Sequence, residues 1–64
     1  MKKARRRSAA IYRIADQDAA CYITVYPQQH WEYTKDDSLV ILKRDNVTIK
    51  IPEIEFRTRW IIIG

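Results

Sequence analysis

Residues 38–51 read SLVILKRDNVTIKI, and this stretch decides the fold of the chain. Two apolar, β-branched runs flank Asp45 and Asn46, and these two residue types tolerate the backbone conformation that a two-residue hairpin turn requires. With that turn, the facing residues are Arg44 with Val47, Leu42 with Ile49, and Val40 with Ile51. The apolar pairs share one face of the hairpin, and Lys43, Thr48 and Lys50 share the other. The sequence therefore predicts an antiparallel hairpin in this register.

Short segments of strand-like composition lie on both sides of the hairpin. Upstream, residues 9–15, 20–26 and 30–34 are rich in aromatic and β-branched side chains. Downstream, residues 54–62 alternate between apolar and polar side chains, which predicts a further strand with Phe56 and Trp60 in the core. We therefore predict an all-β domain, either a small antiparallel barrel or a bent sheet of about five strands.

The excess positive charge of the chain lies at its N-terminal end. Residues 1–15 contain six of the twelve Lys and Arg residues and none of the eight Asp and Glu residues, and the net charge of the whole chain is +4. We interpret residues 1–8 as a flexible basic arm and residues 9–64 as a single small β domain. The alternative is one helix over about residues 3–15, because Ala and Arg are good helix formers. That alternative would make the fold α+β.

A compact basic segment beside a near-neutral body is typical of a protein that contacts a polyanion. Arginine binds phosphate through a planar fork of donors and also stacks on bases. We therefore predict a small regulatory protein that binds nucleic acid, either DNA or RNA. Tyr22 and Tyr26 lie in phase on one strand face, where they could stack on unpaired bases. The candidate nucleic-acid-binding residues are Lys2, Lys3, Arg5, Arg6, Arg7, Arg13, Tyr22 and Tyr26.

A second set of cations lies in the last three predicted strands. It comprises Lys43, Lys50, Arg57 and Arg59. We interpret this set as the solvated side of alternating strands, because Glu53 and Glu55 are close enough in sequence to neutralise part of it.

The apolar end of the sequence supports a different function. Trp60, Ile61, Ile62 and Ile63 are apolar on both faces of the last predicted strand, and such a strand is either buried on both sides or paired with another chain. The alternative prediction is therefore a small protein-interaction or inhibitor module that acts through this strand. A homodimer formed through the strand is compatible with either function.

The composition favours a protein that is not an enzyme and that holds no cofactor. One His and one Cys are too few for a metal site of the zinc type, and Gly64 is the only glycine, so a glycine-rich phosphate loop is excluded. A lone cysteine fits the reducing cytoplasm. The longest aliphatic run, residues 61–63, is far too short to span a membrane. We expect a cytoplasmic protein that does not contact membranes.

Overall fold

A computed structural model describes residues 2–64 of the chain. Its elements, in chain order, are β1 (Lys3–Arg6), β2 (Ala10–Arg13), β3 (Tyr22–Val25), β4 (Trp31–Asp36), β5 (Leu39–Arg44), β6 (Val47–Pro52), α1 (Glu53–Arg59) and β7 (Trp60–Ile62). Strands account for 52% of the chain and the helix for 11%, so the all-β prediction is confirmed.

The strands form a five-stranded sheet and a separate two-stranded hairpin. The large sheet has the order β6-β5-β4-β1-β7, and every neighbouring pair in it is antiparallel. The hairpin consists of β2 and β3. The large sheet has five strands, the number that the sequence predicted, but it includes β1, which was not predicted as a strand, and leaves out β2 and β3. The sheet is open and does not close into a barrel.

The hairpin of β5 and β6 has the predicted register. Val40 pairs with Ile51, Leu42 with Ile49, and Arg44 with Val47. Asp45 provides the turn, with a φ of +54°, and Asp37 has a φ of +55° in the turn between β4 and β5. Asp16 in the loop between β2 and β3 also has a positive φ, of +61°. Aspartate adopts this left-handed conformation more readily than most residues, which explains the turns of a chain that lacks internal glycine.

The core lies between one face of the large sheet, the β2–β3 hairpin and α1. We call this face of the sheet the core face and the other the open face. The buried side chains are Ala4, Val25, Trp31, Val40, Leu42, Ile49, Ile51, Phe56 and Trp60. Trp31 meets Trp60 edge-on, with ring centroids 6.4 Å apart, and the rings of Phe56 and Trp60 stack at 6.2 Å. The assignment of Phe56 and Trp60 to the core is confirmed.

The basic segment does not form the predicted arm. Lys3–Arg6 is strand β1, and it pairs with β4 on one side and with β7 on the other. Ala4 explains the placement, because its small side chain is completely buried opposite both Trp31 and Ile62. The alternative helix over residues 3–15 is also wrong, since these residues contain β1 and β2. Pairing on both edges outweighs the local helix propensity of the segment.

The predicted strand over residues 54–62 is wrong in its first half, where α1 replaces it. Phe56 and Trp60 are four residues apart, a spacing that puts two side chains on one side of a strand and also on one side of a helix. The helix follows Pro52, has Glu53 and Glu55 in its first turn and has Arg57 and Arg59 in its last turn. These charges favour the helix because they complement its dipole.

The position of β1 predicts that removing the basic segment destroys the fold. Deleting residues 2–7 takes an interior strand from the sheet, leaves the facing edges of β4 and β7 unpaired and removes Ala4 from the core. We expect no cooperative thermal unfolding transition by circular dichroism. The control is the double variant Lys3→Gln/Arg5→Gln, which keeps the strand and should change stability by no more than about 0.5 kcal/mol. A truncated protein that melts like the full chain would show that β1 is dispensable.

Candidate nucleic-acid interface

The alternation of side chains along β1 divides the basic segment between the two faces of the sheet. Ala4 points into the core, and Arg6 lies on the same side of the strand. Lys3 and Arg5 therefore project from the open face. The predicted cluster of arm cations is thus divided between the two faces of the sheet.

Arg6 is bound within the protein. Its Nε donates a hydrogen bond of 2.8 Å to the Tyr12 hydroxyl, and its guanidinium also donates to the Ser8 carbonyl at 2.7 Å. The guanidinium carbon lies 5.5 Å from the centre of the Tyr12 ring, a cation–π contact. The structure therefore gives Arg6 a structural role where the sequence predicted a phosphate ligand.

The Tyr12 hydroxyl joins four elements of the fold. It accepts the bond from Arg6 on β1, accepts a weaker one of 3.3 Å from the Trp60 indole on β7, and donates to Glu55 Oε2 on α1 at 2.5 Å. Burial is the main cause that raises the pKa of Tyr12, and the hydrogen bond to Glu55 adds to it. This cluster fixes the hairpin of β2 and β3 over the core face.

The open face carries cations from three strands. Lys3 on β1 and Lys43 on β5 both pair with Glu32, one on each side of it. Lys50 on β6 pairs with Ile41, and Arg5 on β1 pairs with Ile61. The residues Lys3, Glu32, Thr34, Lys43 and Lys50 are all exposed. Within residues 2–64, Lys50 is the one open-face cation with an ion pair, 3.6 Å from Asp16. Lys43 and Lys50 lie on the solvated side of their strands, as the sequence predicted, and Lys3 and Arg5 of the basic segment share that side.

The outer face of the β2–β3 hairpin adds an arginine and two tyrosines. Arg13 pairs across the hairpin with Tyr22. Tyr22 is 64% exposed and Tyr26 is 51% exposed, so both rings are accessible. Arg13 and Lys50 line the same shallow groove of about 400 Å³. The hairpin surface therefore continues into the open face of the sheet around the β6 edge.

Arg7 lies apart from this surface, whereas Lys2 lies at its margin, in a groove that also contains Glu32 and Thr34. Lys2 also lines a groove on the core-face side of the sheet, together with Lys35 and Arg57. The Arg7 amide donates to the Arg59 carbonyl at 2.9 Å, which places both residues near the start of β7. Of the eight residues predicted to bind nucleic acid, Lys3 and Arg5 thus lie on the open face with Lys43 and Lys50, and Arg13, Tyr22 and Tyr26 lie on the outer side of the hairpin.

The four residues predicted to form a protein interface, 60–63, differ in their exposure to solvent. Trp60 is 3% exposed and belongs to the core, while Ile62 and Ile63 are 60% and 40% exposed at the end of the sheet. Ile61 is half-buried on the open face beside Arg5.

Comparisons with protein-family models, curated proteins and solved structures find no match for this chain. Within residues 2–64, no three side chains of His, Cys, Asp or Glu come together as a metal site would need. No helix in the same part of the chain has the length and apolar character that crossing a membrane requires.

The hydrogen bonds of Tyr12 predict that its hydroxyl stabilises the fold. Tyr12→Phe removes the shared partner of Arg6, Glu55 and Trp60, and we expect the free energy of unfolding to fall by about 1–3 kcal/mol. Denaturant unfolding measures the change. Tyr22→Phe is the control, because Tyr22 is exposed and its loss should have little effect. Equal stability of the two variants would contradict the role given to the Tyr12 hydroxyl.

The raised pKa of Tyr12 predicts a loss of stability in alkali. A group whose pKa rises on folding contributes its full stability below the unfolded pKa, and the contribution is lost as pH rises through the folded pKa. We therefore expect wild-type stability to fall as pH rises above the ordinary tyrosine pKa of 10.0, and Tyr12→Phe to reduce that fall. Thermal unfolding at a series of pH values tests this. Tyr22→Phe should keep the wild-type dependence on pH, and a Tyr12→Phe curve parallel to wild type would refute the assignment.

Proposed function

We propose that this protein binds single-stranded nucleic acid on the open face of its sheet, with bases stacking on the outer face of the β2–β3 hairpin. The observation that carries the proposal is the groove that Arg13 and Lys50 share with Asp16, because Lys50 belongs to the open face and Arg13 pairs with the exposed Tyr22 on the hairpin. Phosphate binding and base stacking are common to DNA and RNA, so the proposal covers both.

The charges of the open face favour a phosphate backbone as the ligand. Lys3 and Lys43 are two strands apart, about 10 Å, which is close to the Debye length at moderate ionic strength, so their fields add. Three of the acids of the chain, Asp16, Asp37 and Asp45, lie in turns between strands. On the open face itself, Glu32 pairs with Lys3 and with Lys43, and Asp36 lies further along the same side of β4. Asp16 pairs with Lys50 at the β6 edge.

The hairpin favours an unpaired strand over a duplex. Tyr22 and Tyr26 expose more than half of their surface, and Arg13 beside Tyr22 supplies a charge next to the ring. Rings held in this way can stack on bases that are not already stacked in a duplex. A basic face next to exposed tyrosines therefore suits a flexible strand that can lay its phosphates on the sheet and its bases on the hairpin.

Changes of charge on the open face test the phosphate contacts. We expect the logarithm of the affinity for oligo-dT and oligo-rU to fall linearly with the logarithm of salt concentration, and Lys3→Gln or Lys43→Gln to reduce the slope by about one unit each. Glu32→Gln should have the opposite effect and strengthen binding by about 0.2–1 kcal/mol. Fluorescence anisotropy measures these affinities.

The matched control for charge is Arg59→Gln, which removes one cation from α1 instead of the open face. It should leave most of the affinity and the slope unchanged. If Arg59→Gln weakened binding as much as Lys43→Gln, binding would depend on net charge alone, and the open face would not be the site. Wild-type protein that binds neither oligonucleotide at low salt would refute the proposal as a whole.

Substitution of the exposed tyrosine tests the stacking contact separately. Tyr22→Ala should weaken binding of single strands by about 1–3 kcal/mol and leave binding of a duplex of the same length almost unchanged. Ile11→Ala is the matched control, because Ile11 is 69% exposed on the same hairpin face but has no aromatic ring. An equal loss for both variants, or an equal loss on single and double strands, would rule out stacking.

A further inference from the structure

The two edges of the large sheet are built differently. At the β6 edge, the Thr48 carbonyl accepts a hydrogen bond of 2.8 Å from the Ala15 amide, and the strand carries Lys50 and Pro52. Cations, proline and a covering segment are the usual means by which proteins prevent a sheet edge from pairing with another chain. Within residues 2–64, β7 has no strand on its outer side, and its residues Trp60–Ile62 include neither a cation nor a proline.

The backbone of β7 presents hydrogen-bonding groups to this free side. The Ile63 amide donates to the Lys3 carbonyl, and the Arg59 carbonyl accepts from Arg7, so residues 59 and 63 face β1. Because these groups alternate in direction along an antiparallel strand, the N–H and C=O of Ile62 point away from β1. The Ile62 side chain is 60% exposed beside them. An extended segment that aligns with β7 can therefore pair with Ile62.

The charges around β7 specify the chemistry of that segment. Lys2 and Arg57 line a groove of about 400 Å³ that reaches Ile62, and Arg7 and Arg59 lie at the other end of the strand. The acids of α1 are already bound, since Glu53 pairs with Lys35 and Glu55 accepts a hydrogen bond from Tyr12. Lys35 also lowers the pKa of Glu53 and so keeps it ionised in that pair. The surroundings of β7 thus favour negative side chains on an incoming strand.

A second copy of this chain is a poor occupant of the edge. Pairing two β7 strands about Ile62 would bring Lys2 and Arg57 of one copy towards the same cations of the other, and like charges across paired strands are destabilising. An acidic segment meets the same cations favourably.

We propose that the free edge of β7 binds an extended acidic segment of another protein, which adds to the sheet as a sixth strand. Alternate residues of the segment are acidic and face Lys2 and Arg57 on the core-face side. The residues between them are aliphatic and pack beside Ile61 and Ile63 on the open-face side. Backbone hydrogen bonds to Ile62 align the segment, and the alternation of charge selects it. This inference concerns a different surface from the nucleic-acid interface and does not depend on it.

The test uses a short synthetic peptide that alternates glutamate and valine, with a lysine–valine peptide of the same length as its counterpart. We expect the full-length protein to bind the acidic peptide and not the basic one, measured by fluorescence anisotropy. Amide exchange should show new protection of the Ile62 amide in the complex. Ile62→Pro removes the outward N–H and should weaken binding by about tenfold or more, since that hydrogen bond is lost and a carbonyl of the peptide stays unpaired.

Two further variants separate edge pairing from general attraction and from a failure to fold. Ile62→Val keeps the N–H and should bind as wild type does. Arg57→Glu leaves the backbone of β7 intact, and it should weaken binding of the acidic peptide without affecting binding of oligonucleotides. The proposal fails if the acidic peptide does not bind, if Ile62→Pro and Arg57→Glu both bind it as tightly as wild type, or if the protein forms dimers that protect the Ile62 amide. Oligonucleotide affinities of the same proteins show separately whether the nucleic-acid interface is active.

Discussion

The rest of the structure depends on the pairing of β1 on both of its edges. This strand of four residues is held by β4 on one side and by β7 on the other, and it therefore joins the two ends of the described chain within one sheet. The pairing requires a residue at its centre that fits beneath Trp31 and beside Ile62, and Ala4 meets this requirement with no exposed surface. A larger side chain at this position would need space beside Trp31 that the packed core does not have, and overpacking of a core is destabilising.

The same constraint sets the distribution of charge. A strand must send alternate side chains to opposite faces, so a run of cations cannot remain one cluster once it pairs in a sheet. Lys3 and Arg5 join Lys43 and Lys50 on the open face, while Arg6 turns inward. There the Tyr12 hydroxyl and the Ser8 carbonyl accept hydrogen bonds from its guanidinium. The Tyr12 cluster thus follows from the strand register, and it fixes the β2–β3 hairpin with Tyr22 outward.

The sequence predicted those parts of the fold in which local pattern and long-range pairing agree. The β5–β6 hairpin is such a case, since its turn residues and apolar alternation specify a single register. β1 is the opposite case, because its partners β4 and β7 are distant in sequence and its composition favours a helix. The prediction of a strand over residues 54–62 failed for another reason, because the spacing of Phe56 and Trp60 fits the periodicity of a strand and also that of a helix. For the candidate site, Tyr22 and Tyr26 were predictable from alternation, whereas the joining of Lys43 and Lys50 to Lys3 depends on strand order.

Three aspartates occupy the turn positions with left-handed backbone conformation. The conformational strain of each turn is therefore linked to the charge of the protein surface. At Asp16, Asp37 and Asp45 a glycine would relieve the local conformation, but it would also remove a negative charge from the end of a loop or hairpin. Each substitution of aspartate by glycine would both raise the net charge of the protein by one and favour the turn conformation. A change to glycine at any of these positions would therefore alter the ease of turn formation and the net charge of the protein together.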